Sequence, residues 1–196
     1  MSDVITADGN LVIRRIRDQP DDYERMVAWR NSPHVREWWD PDDPPLTLAG
    51  AIDELGLRAT TDDPTTSCFI EIDGEPVGFI QFYPWDAEEE YLATIGVSVP
   101  SGSWGLDIFI GASGLIGQGI GARAVRVLCD HLFAEEAATA VALITEAGNA
   151  RAQAAYARAG MHVSGAPFED TDLRDGQRVE SVLMIHDRPA GTADGR

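Results

Sequence analysis

The chain of 196 residues has few cysteines, few basic side chains and no long apolar segment. Two cysteines, Cys68 and Cys129, are too few for a disulfide framework and lack the spacing of a metal site. The uncharged runs fall short of the roughly 20 apolar residues that span a bilayer. Residues 1–8 have neither the basic region nor the apolar stretch of a signal peptide. We therefore expect a cytoplasmic protein in a reducing compartment.

The shortage of positive charge is large, because 15 Lys and Arg residues face 33 Asp and Glu residues, for a formal net charge of −18. Such a surface repels phosphate backbones and anionic lipid headgroups, so we expect no nucleic-acid partner and no membrane partner. A positively charged small molecule is a suitable partner, although the same charge also serves solubility alone.

Composition and periodicity predict one mixed α/β domain over residues 1–188, followed by a flexible polar tail over 189–196. Runs rich in branched or aromatic residues are predicted as strands, at 11–16, 67–72, 76–83, 104–110, 141–145, 161–164 and 179–185. Helical spacing or helix-start signals are found at 20–30, at 47–59, directly after the glycine-rich stretch 111–121, and at 149–159. The remaining segments with a prediction are loops at 1–10, 85–91 and 169–172, and a short helix followed by a loop at 34–45.

The glycine-rich segment from Ile116 to Arg123 is the most informative stretch of the sequence. Alternate glycines at 117, 119 and 121 let the backbone approach a ligand closely, and the helix that follows directs its free N–H groups to the same place. This arrangement predicts an anion cradle, most simply for phosphate. A tight turn with close helix packing is the alternative interpretation.

The same glycines also fit a dinucleotide-binding fingerprint, with Glu146 at a plausible distance for the ribose-binding acid. That fingerprint follows its strand at once, whereas about six residues separate Ile110 from Gly117. About 75 residues remain after the loop, which is too few for the rest of a dinucleotide-binding fold. We rank this interpretation second.

Asp107 interrupts an otherwise apolar strand that leads directly into the glycine-rich loop. A carboxylate in such a place is paired, exposed at a cleft, or raised in pKa by desolvation. A structural partner, such as a backbone N–H or an arginine, is one explanation. The position next to the predicted phosphate loop favours a role near a ligand.

Four motifs, in this order, resemble the GNAT acyl-CoA N-acyltransferases and, within them, the aminoglycoside 6′-N-acetyltransferases. They are the double-Trp segment His34–Trp39, the strand Gly105–Gly111, the Gly-x-Gly at 119 and 121, and the helix Asn149–Met161. The resemblance spans residues 11–186. Two positions depart from the family pattern: Ile116 stands where a basic residue is usual, and Met161 replaces a phenylalanine.

The resemblance implies a GNAT fold, with a mostly antiparallel central sheet that is splayed between its fourth and fifth strands and flanked by helices. It implies acetyl-CoA as cosubstrate without a metal, and it leaves monomer and homodimer open. The pyrophosphate would lie on the N–H groups of 117–122, and the pantetheine would pair with strand 107–111. The implied cosubstrate contacts are Phe109, Ile110, Gly117, Gln118, Gly119, Ile120, Gly121, Ala122, Asn149 and Tyr156.

The reaction that the resemblance implies is acetyl transfer to the 6′-amine of a cationic amino sugar. Asp107 would take the proton of the attacking amine, and Tyr156 would protonate or hydrogen-bond the departing thiolate. Carboxylates and flat aromatic rings suit such an acceptor. The implied acceptor contacts are Glu37, Trp38, Trp39, Asp40, Asp107 and Glu146.

Two other functions fit parts of the same pattern. Lysine or hydroxylysine N-acyltransferases of siderophore assembly look similar in fold and in the double-Trp segment, but they carry His where this chain has Asp107. A CoA-binding module without turnover is the second alternative, and the presence of both Asp107 and Tyr156 disfavours it.

Overall fold

A computed structural model describes residues 3–60 and 63–190. Its strands are β1 Val4–Asp8, β2 Leu11–Arg15, β3 Thr66–Ile72, β4 Glu75–Pro84, β5 Trp104–Ile110, β6 Ala140–Glu146, β7 His162–Arg174 and β8 Gln177–Asp187. Its helices are α1 Pro20–Arg30, α2 Pro33–Arg36, α3 Leu48–Thr60, α4 Glu89–Ile95, α5 Ile120–Glu135 and α6 Ala150–Arg158. The strands form one sheet in the order β1-β2-β3-β4-β5-β6-β8-β7. In the part of the chain described, no helix is long and apolar enough to cross a membrane.

The sheet is antiparallel except where β5 meets β6. These two strands are parallel, and in the described residues their pairing is limited to Trp104 with Val141 and Gly105 with Ala142. Both strands then continue and line the same cavity. The predicted fold, with its splay between strands 104–110 and 141–145, is therefore confirmed.

Helix α5 covers the middle of the sheet because its apolar residues recur at three- and four-residue steps. Ala124, Leu128 and Leu132 are completely buried on that face, and burial of each leucine side chain contributes about 2 kcal/mol. Cys68 on β3 and Cys129 on α5 lie in the same core as free thiols. Burial raises the pKa of each to about 12, which makes both unreactive as thiolates.

Three segments that the sequence predicts as loops have regular structure. Residues 1–10 contain strand β1, which pairs with β2 through the tight Asp8–Leu11 connection. Residues 85–91 contain a 3₁₀ turn and the first turn of α4, because Trp85 and Leu92 bury apolar surface there. Residues 169–172 lie within the long strand β7. In all three, tertiary pairing or burial outweighs the polar local sequence. The predicted tail falls mostly outside the described residues.

Candidate active site

A cavity of about 810 Å³ opens where β5 and β6 separate, a volume suited to ligands of drug or cofactor size. The ends of β5 and β6, the glycine-rich loop, the first turn of α5 and one face of α6 form one side of it. Residues from α1 to α3 and from β7 form the other side. The cavity therefore brings together segments that are far apart in the sequence.

Asp107 faces this cavity from the middle of β5, directly opposite Gln81 on β4. The Gln81 side chain donates a hydrogen bond of 2.8 Å from Nε2 to Oδ2 of Asp107. Desolvation raises the pKa of Asp107 to about 6, although the Gln81 hydrogen bond opposes the rise. A carboxyl with this pKa is largely ionised at neutral pH and can accept a proton there.

Gln81 is itself oriented by a chain of charged groups that crosses the cavity wall. Arg58 donates a hydrogen bond of 3.1 Å to Oε1 of Gln81, which leaves the amide nitrogen of Gln81 for Asp107. Arg58 also lies 3.7 Å from Glu54, which lies 3.6 Å from Arg30. Asp107 thus receives its hydrogen bond from a neutral amide, and the arginines beyond it are occupied by other acids.

Two tyrosines lie near Asp107 from different elements. Tyr156 on α6 lines the cavity, and burial followed by the charge of Asp107 raises its pKa well above the usual value. Tyr83 on β4 lies across Gly105, where an added Cβ would come within 2.4 Å of its ring. Burial, together with the Asp107 charge and a hydrogen bond to it, also keeps Tyr83 protonated. Both phenols are hydrogen-bond donors at neutral pH.

The glycine-rich loop presents bare backbone to the cavity. Gly117 and Gly119 adopt φ values of +82° and +83°, which side chains rarely adopt. A Cβ at either position, or at Gly121, would meet nothing within 4 Å. No described side chain caps the N-terminus of α5, and the helical bonds begin with Arg123 N–H to the carbonyl of Gly119. The loop and the first turn of α5 therefore offer unpaired N–H groups beside open space.

Asn149 has a structural role at the start of α6. Its side-chain oxygen accepts a hydrogen bond of 3.1 Å from the Ala152 N–H and so caps the helix. Gln153, one turn later, donates to the carbonyls of Glu146 and Ala147. The beginning of α6 is thereby fixed to the end of β6, and Asn149 keeps its amide N–H₂ for another partner.

The double-Trp segment forms the opposite side of the cavity. Trp39 packs edge-on against Phe79 and Phe109, with ring centroids 5.9 and 5.0 Å apart. From the same segment, a ring nitrogen of His34 lies 3.1 Å from the Ile110 carbonyl. Asp40 has a left-handed φ of 45° and accepts a hydrogen bond of 2.9 Å from Arg30. The segment is therefore attached directly to β5.

Asp170 and Glu146 are acids of the cavity with very different partners. Asp170 on β7 is 1% exposed and accepts hydrogen bonds from the Tyr91 hydroxyl and the Thr171 N–H. Glu146 at the end of β6 is paired with Arg174, whose Nη2 and Nε lie 2.7 and 3.2 Å from its two oxygens. These hydrogen-bond donors of Asp170 are neutral groups, whereas Glu146 forms an ion pair with an arginine.

The structure brings fourteen of the sixteen residues predicted for the site to the cavity. Glu37 and Gln118 are outside the lining: Glu37 is exposed and its carbonyl accepts from Arg174, and the Gln118 side chain donates to the Gly114 carbonyl. Gln81, Arg58 and Asp170 are additional lining residues that the sequence did not indicate. Alternation along β4 carries a weak signal for Gln81, because it is polar within an apolar strand.

Four arginines line the cavity, and they differ in their partners. Arg30 and Arg58 are in ion pairs with Glu54, whereas Arg151 and Arg158 on α6 form no ion pair with a described residue. Within residues 3–60 and 63–190, no group of His, Cys, Asp and Glu is arranged to hold a metal ion.

Comparison with known proteins agrees with this arrangement. Aminoglycoside N(6′)-acetyltransferase type 1 from Klebsiella pneumoniae and from Serratia marcescens are each 24% identical over 195 residues, covering 95% of this chain and 88% of the relative. Among solved structures, AAC(6′)-Ib with ribostamycin and coenzyme A has a TM-score of 0.77 at 23% identity, covering 96% of this chain and 100% of that one. The same enzyme with coenzyme A and kanamycin has a TM-score of 0.74 at 23% identity, covering 91% and 95%. These structures share the fold.

The family model of the acetyltransferase (GNAT) domain matches residues 18–166, which is more than half of the chain. The matched range includes the double-Trp segment, Asp107, the glycine-rich loop and Tyr156. The chain therefore belongs to the GNAT acetyltransferases, enzymes that use acetyl-CoA as their acetyl donor.

Proposed function

We propose that this enzyme transfers the acetyl group of acetyl-CoA to the 6′-amine of an aminoglycoside, with Asp107 as base and Tyr156 as acid. The observation that carries the proposal is the cavity itself. In it, a carboxyl of raised pKa and a neutral phenol share one space with an open, glycine-rich helix N-terminus. The 24% identity to the two N(6′)-acetyltransferases supports the choice of acceptor.

The glycine-rich loop fits the anionic end of the cosubstrate. A phosphate group needs N–H donors and room, and the open space beside Gly117, Gly119 and Gly121 supplies both. Arg151 and Arg158 add positive charge at the α6 side of the cavity. This matters because Ile116 supplies no charge and the chain as a whole is strongly acidic.

The separated edge of β5 fits the extended arm of the cosubstrate. Past Gly105, the described part of β6 no longer pairs with β5, and an extended chain can bind there through main-chain hydrogen bonds. A backbone N–H near Phe109 would then point at the thioester oxygen and stabilise the negative charge that develops on it. Acetyl-CoA itself supplies the activated acyl group.

The acceptor end of the cavity suits a positively charged molecule that has sugar rings. Asp107 and Asp170 supply carboxylates with neutral hydrogen-bond donors, Asp40 adds one that is paired with Arg30, and the rings of Trp38 and Trp39 border the same space. Positively charged amines are attracted by such a group of acids, and sugar rings pack on aromatic faces. Of the other residues predicted for this end, Glu37 lies outside the lining and Glu146 is neutralised.

In the reaction, the amine nitrogen attacks the thioester carbon, the C–N bond forms and the C–S bond breaks. Asp107 accepts the proton that the amine nitrogen loses. Tyr156 donates a hydrogen bond to the sulfur as it departs as a thiolate and then passes it the phenol proton, which gives the thiol of CoA. The proton held by Asp107 leaves to solvent, and a proton from solvent restores the phenol. Because the pKa of Tyr156 lies well above its usual value, its phenol stabilises the thiolate mainly as a donor.

An acceptor panel tests the proposal. Release of the CoA thiol is measured with acetyl-CoA and kanamycin-type aminoglycosides, with lysine and hydroxylysine derivatives as the comparison set. Turnover on aminoglycosides supports the proposal, and turnover limited to lysine derivatives assigns the siderophore-type reaction instead. Stabilisation by CoA against heat without turnover on any amine identifies a binding module.

A further inference from the structure

The turn between β7 and β8 reaches across to the double-Trp segment. We call residues 174–176 the strap. The Asp42 carboxylate accepts hydrogen bonds from the backbone N–H groups of Asp175, at 3.0 Å, and Gly176, at 2.8 Å. These two bonds lower the pKa of Asp42. They fix the tip of the hairpin beside the acceptor end of the cavity, although it lies more than 130 residues away in the sequence.

Arg174 in the strap makes three further contacts. Its guanidinium gives both oxygens of Glu146 a hydrogen bond, donates to the Glu37 carbonyl at 2.5 Å, and lies 5.1 Å from the ring centroid of Trp38. About one third of the Arg174 side chain and one fifth of the Glu146 side chain are exposed. This bidentate ion pair has a well-defined geometry, because the Glu37 carbonyl and the Trp38 ring also hold the guanidinium.

The effect of Arg174 on the cavity is electrostatic. Glu146 lines the cavity, whereas Arg174 is not a lining residue and contacts Glu146 from behind. The pair has no net charge, so Glu146 can accept a hydrogen bond from an acceptor hydroxyl but adds little attraction for a further positive amine. Asp107 and Asp170 differ, because their hydrogen-bond donors are neutral groups.

We infer that Arg174 is a specificity-determining residue that limits how strongly the affinity for an acceptor rises with its number of amines. The inference rests on the proposed function, since it concerns the acceptor end of that same site. With Arg174 in place, one carboxylate of the cavity is withdrawn from charge recognition. Without it, Glu146 becomes an additional negative charge toward the acceptor.

The test compares two acceptors that share the 6′-amine and differ at one carbon, kanamycin A with a hydroxyl and kanamycin B with an amine. Their dissociation constants are measured calorimetrically with the wild type, Arg174→Met, Arg174→Lys and the double variant Arg174→Met/Glu146→Gln. Arg178→Met is the matched control, because Arg178 is an exposed arginine on the same hairpin.

We expect Arg174→Met to shift the affinity ratio about fivefold in favour of kanamycin B, the size of one partly exposed charge interaction. Arg174→Lys and the double variant should return the ratio toward the wild-type value, and Arg178→Met should leave it unchanged. The shift should also decrease with added salt.

Two outcomes overturn the inference alone while leaving the proposed function in place. The first is an unchanged ratio, and the second is a loss of affinity for both kanamycins in equal proportion, which indicates a structural role for the strap. Binding of neither kanamycin by the wild type or by Arg174→Met overturns the inference and the proposed acceptor class together.

Discussion

Asp107 and Glu146 are two carboxylates on one cavity, and their surroundings differ in one respect that decides their chemistry. Asp107 receives a hydrogen bond from the neutral amide of Gln81, and its pKa rises to about 6. Glu146 is held at both oxygens by the Arg174 guanidinium. A neutral partner orients a carboxylate without cancelling its charge, whereas a guanidinium partner forms a pair that has no net charge.

The difference follows from the elements that carry each acid. Asp107 and Gln81 are a cross-strand pair in a regular antiparallel ladder, so the sheet itself sets their separation. Glu146 lies at the end of β6 and meets an arginine from a hairpin turn. The sheet thus sets the position of the proposed base, and the hairpin supplies the partner of the second acid.

The largest effect is expected at the acid with the neutral partner. Asp107→Asn keeps the shape and the hydrogen-bonding neighbour but removes the base, so kcat should fall by about 10² or more. Affinity for CoA should change little, since the proposed cosubstrate contacts are the loop and the β5 backbone. Steady-state kinetics and calorimetry with CoA measure the two quantities, and an equal loss of both would assign Asp107 a structural role.

A smaller effect on kcat is expected at Tyr156, the proposed acid. Tyr156→Phe removes the phenol that donates to the departing sulfur, and kcat should fall about tenfold. Tyr23→Phe serves as the control, because the Tyr23 hydroxyl bonds Asp18 away from the cavity. An unchanged rate with Tyr156→Phe would contradict the acid role.

The neutral partner itself can be tested through the pH profile. In the wild type, kcat/KM should increase as the pH rises through about 6, because Asp107 must be ionised to act as the base. Gln81→Met removes a hydrogen bond that stabilises the carboxylate, so the midpoint should move upward by about one pH unit or less. Arg58→Met should move it less, since Arg58 acts on Asp107 through its charge and by orienting Gln81, without a direct hydrogen bond to the carboxylate. A midpoint that Gln81→Met leaves in place would contradict the assignment of this titration to Asp107.

The same carboxylate also affects stability. The pKa of Asp107 is raised in the folded state above its unfolded value of about 3.9, so ionisation disfavours the folded state. Stability is therefore lost as the pH rises from about 4 to about 6, and the whole cost applies above that. Asp107→Asn should stabilise the fold at pH 8 by about 3 kcal/mol, and by well under about 1 kcal/mol at pH 4, where the unfolded carboxyl is only about half ionised. Thermal unfolding at both values measures this, with the exposed Asp130→Asn as control, and a stabilisation independent of pH would contradict it.

The sequence predicted the segments whose pattern agrees with their packing. Helix α1, the hairpin of β3 and β4, and the glycine-rich loop before α5 have local signals that the tertiary structure keeps. The site residues that are attached to motifs, such as Asp107 and Tyr156, were predicted in the same way.

The features that the sequence did not predict depend on contacts between residues that are far apart in the chain. Strand β1 is only five residues long and forms because β2 offers it an edge. Gln81 becomes important only through the register that sets it opposite Asp107. Arg174 meets Glu146 only after a hairpin has been folded across the cavity. None of these contacts has a counterpart in the local pattern of the chain.

The buried cysteines have a practical consequence for the assays that measure release of the CoA thiol. Cys68 and Cys129 are fully buried, with pKa values near 12, so they should not react with thiol-modifying dyes in the folded enzyme. A dye that reports the CoA released in each turnover therefore has no background signal from the folded protein. When a variant unfolds, its two cysteine thiols become accessible and react as well. The same reagent therefore distinguishes a folded, inactive variant from an unfolded one.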